Sequence, residues 1–409
     1  MTVRRLFVIP ALLVFVSACG YQPTTGSTSD AASSPAVTAA AAPAPDALTP
    51  LIGSVPFAPI PFAGSDGKTH LVYELFVTNF TDGPLTVNDL AVLDAATEQP
   101  VGRLDGAALR QRLTPAGRRD GTGELLAGQS GTVFIHLVLR DGDAVPARLL
   151  HRAELHSAAM PPGRDRVTET LGATTVDRRT LPVVSAPLAG DRYIAADGCC
   201  DAVRHTRAVL PVNGQTFLAQ RYAIDFEQAD EQNRIFAGDP KDPASYAIFG
   251  EQVFAVADGT VVGARNDLPE QAPGTYPANI PIDEADGNFV VLDIGDGFFV
   301  NYAHMQPGSV RPAVGETVKR GDVIGLVGNT GNSVAPHLHL HVMDGPSPLA
   351  AQGLPYLYDR FTITGQVAST AAFDASEGTG VPLVTVPDVP ATEHSDQMLL
   401  DQNVVTFAP

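Results

Sequence analysis

Histidines are concentrated in one short part of this sequence. Four of the ten histidines fall between residues 304 and 341, and three of them alternate with leucine in the run His337-Leu338-His339-Leu340-His341. On a β-strand alternate side chains share a face, so the three imidazoles would project the same way at steps of about 6.6 Å. Neutral imidazole is both a metal ligand and a proton acceptor near pH 7. The run therefore indicates a metal or acid-base site, with a solvated histidine ladder as the alternative.

Glycine-punctuated β segments surround these histidines. Short runs of β-forming residues bounded by glycine predict strands, and no helix of substantial length is expected between residue 193 and the C-terminus. The predicted strands are 253–262, 288–293, 298–304, 323–327 and 337–343. This set predicts a mainly β domain over residues 193–409, whose fifth strand displays the three histidines.

An Asn213-Gly214 pair predicts the hairpin that opens this domain. The pair favours a two-residue turn between strands over 207–212 and 215–226. In that register His205 falls opposite Tyr222 and points to the other face from Arg221. We therefore expect His205 to be an ordinary polar strand residue, unless a bulge shifts the register.

The N-terminal half predicts a different β unit. Over residues 51–192, β-rich runs such as 71–77 and 132–139 are separated by turn signals such as 82–84. This pattern predicts a β-sandwich, immunoglobulin-like by analogy, of the kind that serves as a spacer or binding module. Its four histidines are scattered along the sequence and are expected to be ordinary strand or surface residues: His70, His136, His151 and His156.

A series of short motifs in the second half resembles the lysostaphin-type (LytM-type) zinc endopeptidases, which cut peptidoglycan cross-links. The resemblance runs from Ala255 to Val342. Its motifs are, in order, Ala255-Val256-Ala257-Asp258-Gly259-Thr260-Val261, Gly287-Asn288, Tyr302-Ala303-His304, Gly315-Glu316-Thr317-Val318, Gly325-Leu326-Val327-Gly328-Asn329-Thr330-Gly331 and Pro336-His337-Leu338-His339. The resemblance implies an antiparallel β domain with a duplicated hybrid motif.

The resemblance also implies a zinc site. In that family, zinc is held by the His and Asp of a His-x-x-x-Asp segment and by the second His of a His-x-His strand. Carried over residue by residue, this makes Asp225 and His339 zinc ligands and His304 and His337 catalytic residues. The remaining ligand position holds Arg221, which cannot lose its proton and so cannot bind zinc.

Three arrangements of the missing ligand follow from this departure. His341, which stands where the family often has Glu, would join Asp225 and His339 in a shifted site. His205 would supply the imidazole from the facing strand, which the predicted register disfavours. Without either, the guanidinium of Arg221 would form an ion pair with Asp225 in place of the metal.

These arrangements leave two functions open. The first is a zinc-dependent metallopeptidase, a hydrolase that cuts the peptide cross-links of peptidoglycan. The second is an inactive relative that binds peptidoglycan, or a cell-wall hydrolase such as an amidase, and regulates it. A carrier domain of the biotinyl type is a third class, but Lys319 lacks the methionine flanks of a modifiable lysine.

The N-terminus predicts export and lipid anchoring. Arg4 and Arg5 precede a short apolar stretch, as in a signal peptide over residues 1–18, and Val16-Ser17-Ala18-Cys19 resembles a bacterial lipobox. Cys19 is then the lipid attachment site and residues 19–50, rich in Ser, Thr, Ala and Pro, a flexible linker. We expect a lipoprotein of the bacterial cell envelope, held at the membrane by this lipid and facing the periplasm or the outside.

Charge and cysteine content narrow the partners further. With a formal net charge of −19, the chain repels polyanions, so nucleic acid is not an expected partner. Beyond Cys19, only the adjacent Cys199 and Cys200 remain. They are expected to be structural thiols or a strained vicinal disulfide, since no second cysteine pair completes a tetrahedral metal set.

Overall fold

A computed structural model describes residues 48–140 and 142–408. The predicted signal peptide, Cys19 and most of the predicted linker lie outside these residues. Residues 49–409 form one compact unit by their contacts. Among the described residues, no helix has the length and apolar character needed to cross a membrane.

Ten strands build the first half of the described chain. They are β1 (Leu51–Ser54), β2 (Phe62–Ala63), β3 (Thr69–Asn79), β4 (Leu85–Asp94), β5 (Pro100–Asp105), β6 (Leu113–Pro115), β7 (Glu124–Leu125), β8 (Ser130–Val138), β9 (Arg148–Ser157) and β10 (Arg166–Thr175), with helix α1 (Gly106–Arg112) between β5 and β6. One sheet has the order β1-β3-β8-β6 and the other β10-β9-β4-β5. These are the strand orders that immunoglobulin-type sandwiches use. A shared apolar core lies between the two sheets.

Strand β3 is buried on both of its faces. Leu71, Tyr73 and Leu75 point into the core between the two sheets. Because side chains alternate along a strand, His70 and Glu74 point the other way, and they too are buried. That outer face packs against the second half of the chain, so the first half contributes one side of an internal boundary.

Sixteen shorter strands build the second half. They are β11 (Val183–Val184), β12 (Gly190–Ala196), β13 (Leu210–Val212), β14 (Gln215–Phe217), β15 (Ile224–Gln228), β16 (Gln252–Phe254), β17 (Gly259–Arg265), β18 (Asn288–Gly295), β19 (Phe298–Met305), β20 (Thr317–Val318), β21 (Val323–Leu326), β22 (Leu338–Met343), β23 (Leu357–Tyr358), β24 (Phe361–Gln366), β25 (Thr392–His394) and β26 (Asn403–Phe407). Ten of them form one sheet in the order β20-β17-β18-β19-β22-β15-β12-β26-β24-β25. The prediction of a mainly β, antiparallel second half is confirmed. The predicted boundary between residues 192 and 193 falls within β12.

The predicted hairpin is shorter than expected. Strands β13 and β14 do pair across Asn213-Gly214, but β14 ends at Phe217. Residues 218–223 then form two turns, in which the N–H of Arg221 donates to the carbonyl of Leu218 and that of Ala223 to Gln220. Strand β15 therefore starts anew and pairs with β12 and β22 instead of continuing the hairpin.

One helix in the second half contradicts the expectation of none. Helix α2 (Thr370–Thr379) starts at Ser369, whose side chain accepts the N–H of Ala372, and ends at Gly380 with φ 70°. A side-chain cap followed by a left-handed glycine is a common pair of helix boundaries. Asp374 of this helix pairs with Arg204, and Glu377 lines a large groove between the two halves of the chain.

Candidate metal centre and its groove

The pairing of β15 with β22 brings the central carboxylate and one histidine together. Asp225 is the register partner of His339. On both strands the neighbouring residues, such as Ile224 and Leu340, point into the apolar core, so Asp225 and His339 share the opposite face. The Nδ1 atom of His339 lies 2.8 Å from Oδ1 of Asp225.

His205 reaches the same carboxylate from a turn. Its Nε2 atom lies 3.4 Å from Oδ2 of Asp225, and its ring packs edge-on against His339 with centroids 4.9 Å apart. The N–H at its Nδ1 donates to the carbonyl of Asp197 at 2.9 Å. The prediction that His205 lies opposite Tyr222 is wrong, because His205 precedes β13 and belongs to no strand.

Ion pairs hold the turn that carries His205. Arg204 binds Asp197 at 2.8 Å and Asp374 of α2 at 2.9 Å. Just downstream, Arg207 donates to the backbone carbonyl of Gln111 at 2.8 Å in the first half of the chain. The position of His205 therefore depends on contacts with α2 and with the sandwich.

Two further histidines complete the cluster. His304, at the end of β19, donates from Nδ1 to the carbonyl of Thr330 at 2.7 Å, and His337, just before β22, donates from Nδ1 to the carbonyl of Ala335 at 2.8 Å. Their ring centroids are 4.6 Å apart. Nε2 of His337 lies 3.4 Å from Asp225. Nε2 of His304 therefore keeps a lone pair in the neutral ring, as a proton acceptor requires, whereas Nε2 of His337 shares a proton with Asp225 when that ring is charged.

His341 lies behind His339 and not beside Asp225. Its Nδ1 faces Nε2 of His339 at 2.9 Å, and its own Nε2 donates to the carbonyl of Pro348 at 3.2 Å. Because Nδ1 and Nε2 are on opposite sides of the His339 ring, His341 does not reach the place that His339 and Asp225 share. Its expected role as a metal ligand is corrected to that of a hydrogen-bond partner of His339.

The side chain of Arg221 lies outside the metal site. Its guanidinium makes a two-pronged ion pair with Glu74 of β3, at 2.8 and 2.7 Å, and donates to the carbonyl of Gly353. The two charged side chains are 5% and 1% exposed. The expected ion pair between Arg221 and Asp225 is wrong, because the carboxylate of Glu74 neutralises the arginine at the boundary with the sandwich.

The charges in the cluster follow from burial and from Asp225. Burial opposes the charged form of Asp225, but the facing rings of His205 and His337 outweigh it and hold the pKa of Asp225 well below its usual value. Burial lowers the pKa of His339, and lowers that of His304 further. His337 is also buried, yet the nearby charge of Asp225 raises its pKa to about 9.

The donor set fits a metal ion. With Nδ1 of His205 donating to a carbonyl, and Nε2 of His339 donating to His341, both nitrogens that face Asp225 carry lone pairs in the neutral rings. Two lone pairs aimed at a partly buried carboxylate repel it unless a proton or a metal ion lies between them. The ligand atoms of His205, Asp225 and His339 lie within 4.8 Å of one another. Two imidazoles and a carboxylate form the type of set that holds catalytic zinc.

A groove of about 1300 Å³ leads to this cluster. Its walls come from both halves of the chain, and Phe76 and Thr132 line the sandwich side. Beyond Asp225 the lining includes Glu227 and Glu377. Burial raises the pKa of both of these carboxyls, and the proximity of Glu377 raises that of Glu227 further. Sequence patterns gave no sign of this pair, since the two residues are far apart in the chain and α2 was not predicted.

Comparison with known proteins supports the sequence resemblance. Residues 244–351 match the model of peptidase family M23. Endolysin 2638A of Staphylococcus phage 2638A is 39% identical over 80 residues, which cover 19% of this chain and 16% of the endolysin. Peptidoglycan DD-endopeptidase ShyA of Vibrio cholerae is 33% identical over 102 residues, or 25% of this chain and 20% of that protein. The predicted resemblance to the lysostaphin-type peptidases is confirmed for this part of the chain.

The extent of these matches is limited. The chain spans about a fifth of the length of the curated relatives it matches. The catalytic domain of lysostaphin from Staphylococcus simulans is 27% identical and covers 35% of this chain and 80% of that domain, but with a TM-score of 0.21 it adds no argument. The matched residues 244–351 include His304, His337 and His339, whereas His205 and Asp225 lie outside them.

Proposed function

We propose that this chain is a metal-dependent endopeptidase that hydrolyses peptide cross-links of peptidoglycan, with His205, Asp225 and His339 as the ligands of a zinc ion. The observation that carries the proposal is the convergence of two imidazole nitrogens on one partly buried carboxylate. One of the relatives is a peptidoglycan DD-endopeptidase, which supports the substrate class. His205 would supply the third protein ligand, which the arginine at position 221 cannot provide.

The metal ion and the residues around its ligands would have separate roles. A bound zinc ion would act as a Lewis acid on the scissile carbonyl and lower the pKa of the attacking water. His304 and His337 each hold one nitrogen on a backbone carbonyl. Nε2 of His304 is free to accept a proton. The charge of Asp225 keeps His337 protonated near neutral pH, and a metal ion on Asp225 would offset that charge and let Nε2 of His337 accept a proton as well. His341 fixes the ring of His339 through its hydrogen bond, as outer partners of metal-binding histidines do.

The groove supports an extended substrate. It runs between the sandwich and the histidine cluster, so a peptide lying in it would contact both halves of the chain. The sandwich then forms part of the binding surface. The alternative, an inactive regulator, was tied to an ion pair between Arg221 and Asp225. Since Arg221 binds Glu74 instead, no observation favours that alternative.

We also infer that the protein works at the cell envelope, anchored by a lipid on Cys19. The lipobox-like segment that ends at Cys19 supports this inference. Incorporation of labelled fatty acid in bacteria, compared between the wild type and Cys19→Ala, tests it. Equal labelling of the two proteins would contradict the anchor. A cell-wall amidase stays a predicted partner.

Zinc content tests the metal site directly. Elemental mass spectrometry of the full chain should find close to one zinc per protein in the wild type, and little in His205→Ala or His339→Ala. His156→Ala is the matched control, since the side chain of His156 on β9 is 40% exposed and touches neither cluster. Release of peptides from purified peptidoglycan should follow the zinc content. A wild type without zinc, or a His205→Ala protein with full zinc, would contradict the proposal.

A further inference from the structure

A second group of histidines lies at the boundary between the two halves. His70 on β3 and His136 on β8 project from the outer face of the same sheet. Nδ1 of His70 and Nε2 of His136 are 2.9 Å apart. The sulfur of Cys200 approaches from the second half, and the three ligand atoms lie within 4.8 Å of one another. The expectation that the sandwich histidines do not cluster is therefore wrong for these two.

Both rings carry an aspartate on their outer nitrogen. Nε2 of His70 lies 2.9 Å from Asp66, and Nδ1 of His136 lies 3.3 Å from Asp201. Metal-binding histidines usually donate their outer N–H to a carboxylate or carbonyl, which fixes the ring and leaves the inner nitrogen free. The arrangement here has this form twice, with the two inner nitrogens and a sulfur converging on one place.

A proton count shows what the arrangement lacks. Three contacts, from Asp66 to His70, from His70 to His136 and from His136 to Asp201, each need a proton when no metal is present. Two neutral rings supply only two. His70 is 2% exposed, and burial lowers its pKa, which disfavours a third proton. A metal ion between the inner nitrogens would replace the missing proton.

The sulfur is the part of the set that can change. Cys200 is joined to Cys199 in a vicinal disulfide. Of the two states predicted for this pair, structural thiols and a vicinal disulfide, the structure has the disulfide. A disulfide sulfur has no thiolate charge, whereas metals bind cysteine as the thiolate. Reduction breaks the S–S bond and leaves two thiols. The set then becomes two imidazoles and one thiolate.

We propose that His70, His136 and Cys200 form a second metal site, which binds a thiophilic transition-metal ion such as Zn²⁺ or Cu⁺ once the Cys199–Cys200 disulfide is reduced. A dithiol supplies the two electrons and two protons of the reduction and becomes a disulfide itself. The thiol of Cys200 then loses its proton to solvent as the metal binds. Imidazole and thiolate ligands suit these ions, and neighbouring Phe62 stacks on the ring of His70.

Cobalt(II) distinguishes this site from the first one. The full chain carrying His339→Ala, which disables the first site, is titrated with Co²⁺ before and after treatment with a dithiol. After reduction we expect about one equivalent of tightly bound cobalt and thiolate-to-cobalt charge-transfer absorption. Before reduction we expect no tightly bound cobalt and no such absorption. A failure of the proposed peptidase would not affect this result, because the ligands of the first site are not shared.

Cysteine variants make the test independent of access to the disulfide. Cys199→Ser frees the thiol of Cys200 without a reductant, and it should bind cobalt with the charge-transfer band in untreated protein. Of the Cys199–Cys200 pair, Cys200→Ser leaves only the thiol of Cys199 and should show no band. In the Cys199→Ser background, His136→Ala should lower cobalt affinity at least tenfold, whereas His156→Ala should leave it unchanged.

The metal-free alternative has a clear signature. In it, His136 turns its one proton to His70, and Asp201 relies on Arg112, which lies 2.6 Å away. Reduced protein and Cys199→Ser would then bind no cobalt beyond the level of Cys200→Ser. That result, or a charge-transfer band that persists in Cys200→Ser, would overturn the proposed site.

Discussion

The two histidine clusters both combine imidazoles with carboxylates, but the groups at the centre and at the periphery are exchanged. In the first, the carboxylate of Asp225 lies in the middle, and His205 and His339 direct ring nitrogens at it. In the second, the rings lie in the middle and the carboxylates of Asp66 and Asp201 lie outside. His205 and His339 of the first cluster and His70 of the second are buried, and both clusters join segments that are distant in the sequence.

This difference determines what each cluster needs in order to hold a cation. A central carboxylate supplies negative charge directly to the ion, so the first cluster should bind a divalent metal whatever the state of the disulfide. Outer carboxylates only orient and polarise the rings. The second cluster therefore depends on the thiolate of Cys200 for its charge.

A single segment links the two clusters. Residues 197–205 contribute Cys200 to the second cluster and His205 to the first. The buried pair of Glu74 and Arg221 spans the same boundary. We expect changes at this boundary to affect both clusters, and changes within one cluster to affect that cluster alone.

The largest expected effect comes from the boundary itself. Glu74→Gln would leave the guanidinium of Arg221 buried without a counter-charge, which should lower the free energy of unfolding by about 3–5 kcal/mol. Urea denaturation measures this loss. A paired replacement by apolar residues of similar size, Glu74→Leu with Arg221→Met, should recover most of it. If Glu74→Gln unfolds like the wild type, the ion pair does not hold the two halves together.

Loss of His205 should be the next largest effect. His205→Ala removes a ligand, so zinc affinity in competition with a chelator should fall by more than the roughly 10–100-fold that loss of an outer partner causes. Adding Arg221→His, which restores the ligand residue of the lysostaphin type, should not rescue binding, because position 221 faces Glu74. Rescue by Arg221→His would show that the turn at 218–223 rearranges freely.

His341 should have a smaller effect as the outer partner of His339. His341→Ala should weaken zinc binding by about 10–100-fold without abolishing it. His341→Asn keeps an acceptor near the position of Nδ1 and should retain more affinity than alanine. An equal loss of zinc affinity in the two variants would point to a packing role. Complete loss of zinc binding in both would indicate that His341 is a metal ligand.

The smallest effect is expected at Asp201 in the second cluster. Asp201 also binds Arg112, and its contact with His136 is the longer of the two aspartate contacts. Asp201→Asn in the Cys199→Ser background should therefore reduce cobalt affinity by about tenfold or less. Asp66→Asn, which alters the 2.9 Å contact with His70, should reduce it more. The reverse ranking would break the analogy between the two outer carboxylates.

Local sequence patterns predicted much of the fold and part of the site. Alternation along the strand placed His337, His339 and His341 on one face, and the motif series led to His304 and Asp225. The Asn213-Gly214 turn is present. Helix α2 was missed although Ser369 and Gly380 bound it, because its apolar residues do not follow a strong helical repeat.

The sequence by itself determined the strands, their alternating faces and the family resemblance, since these depend on neighbours within a few residues. The tertiary structure alone decided which side chains meet. Glu74 and Arg221 are 147 residues apart, and no local pattern connects them. His205 lies in a turn without periodicity, so only the packing of that turn against α2 and the sandwich brings its ring to Asp225.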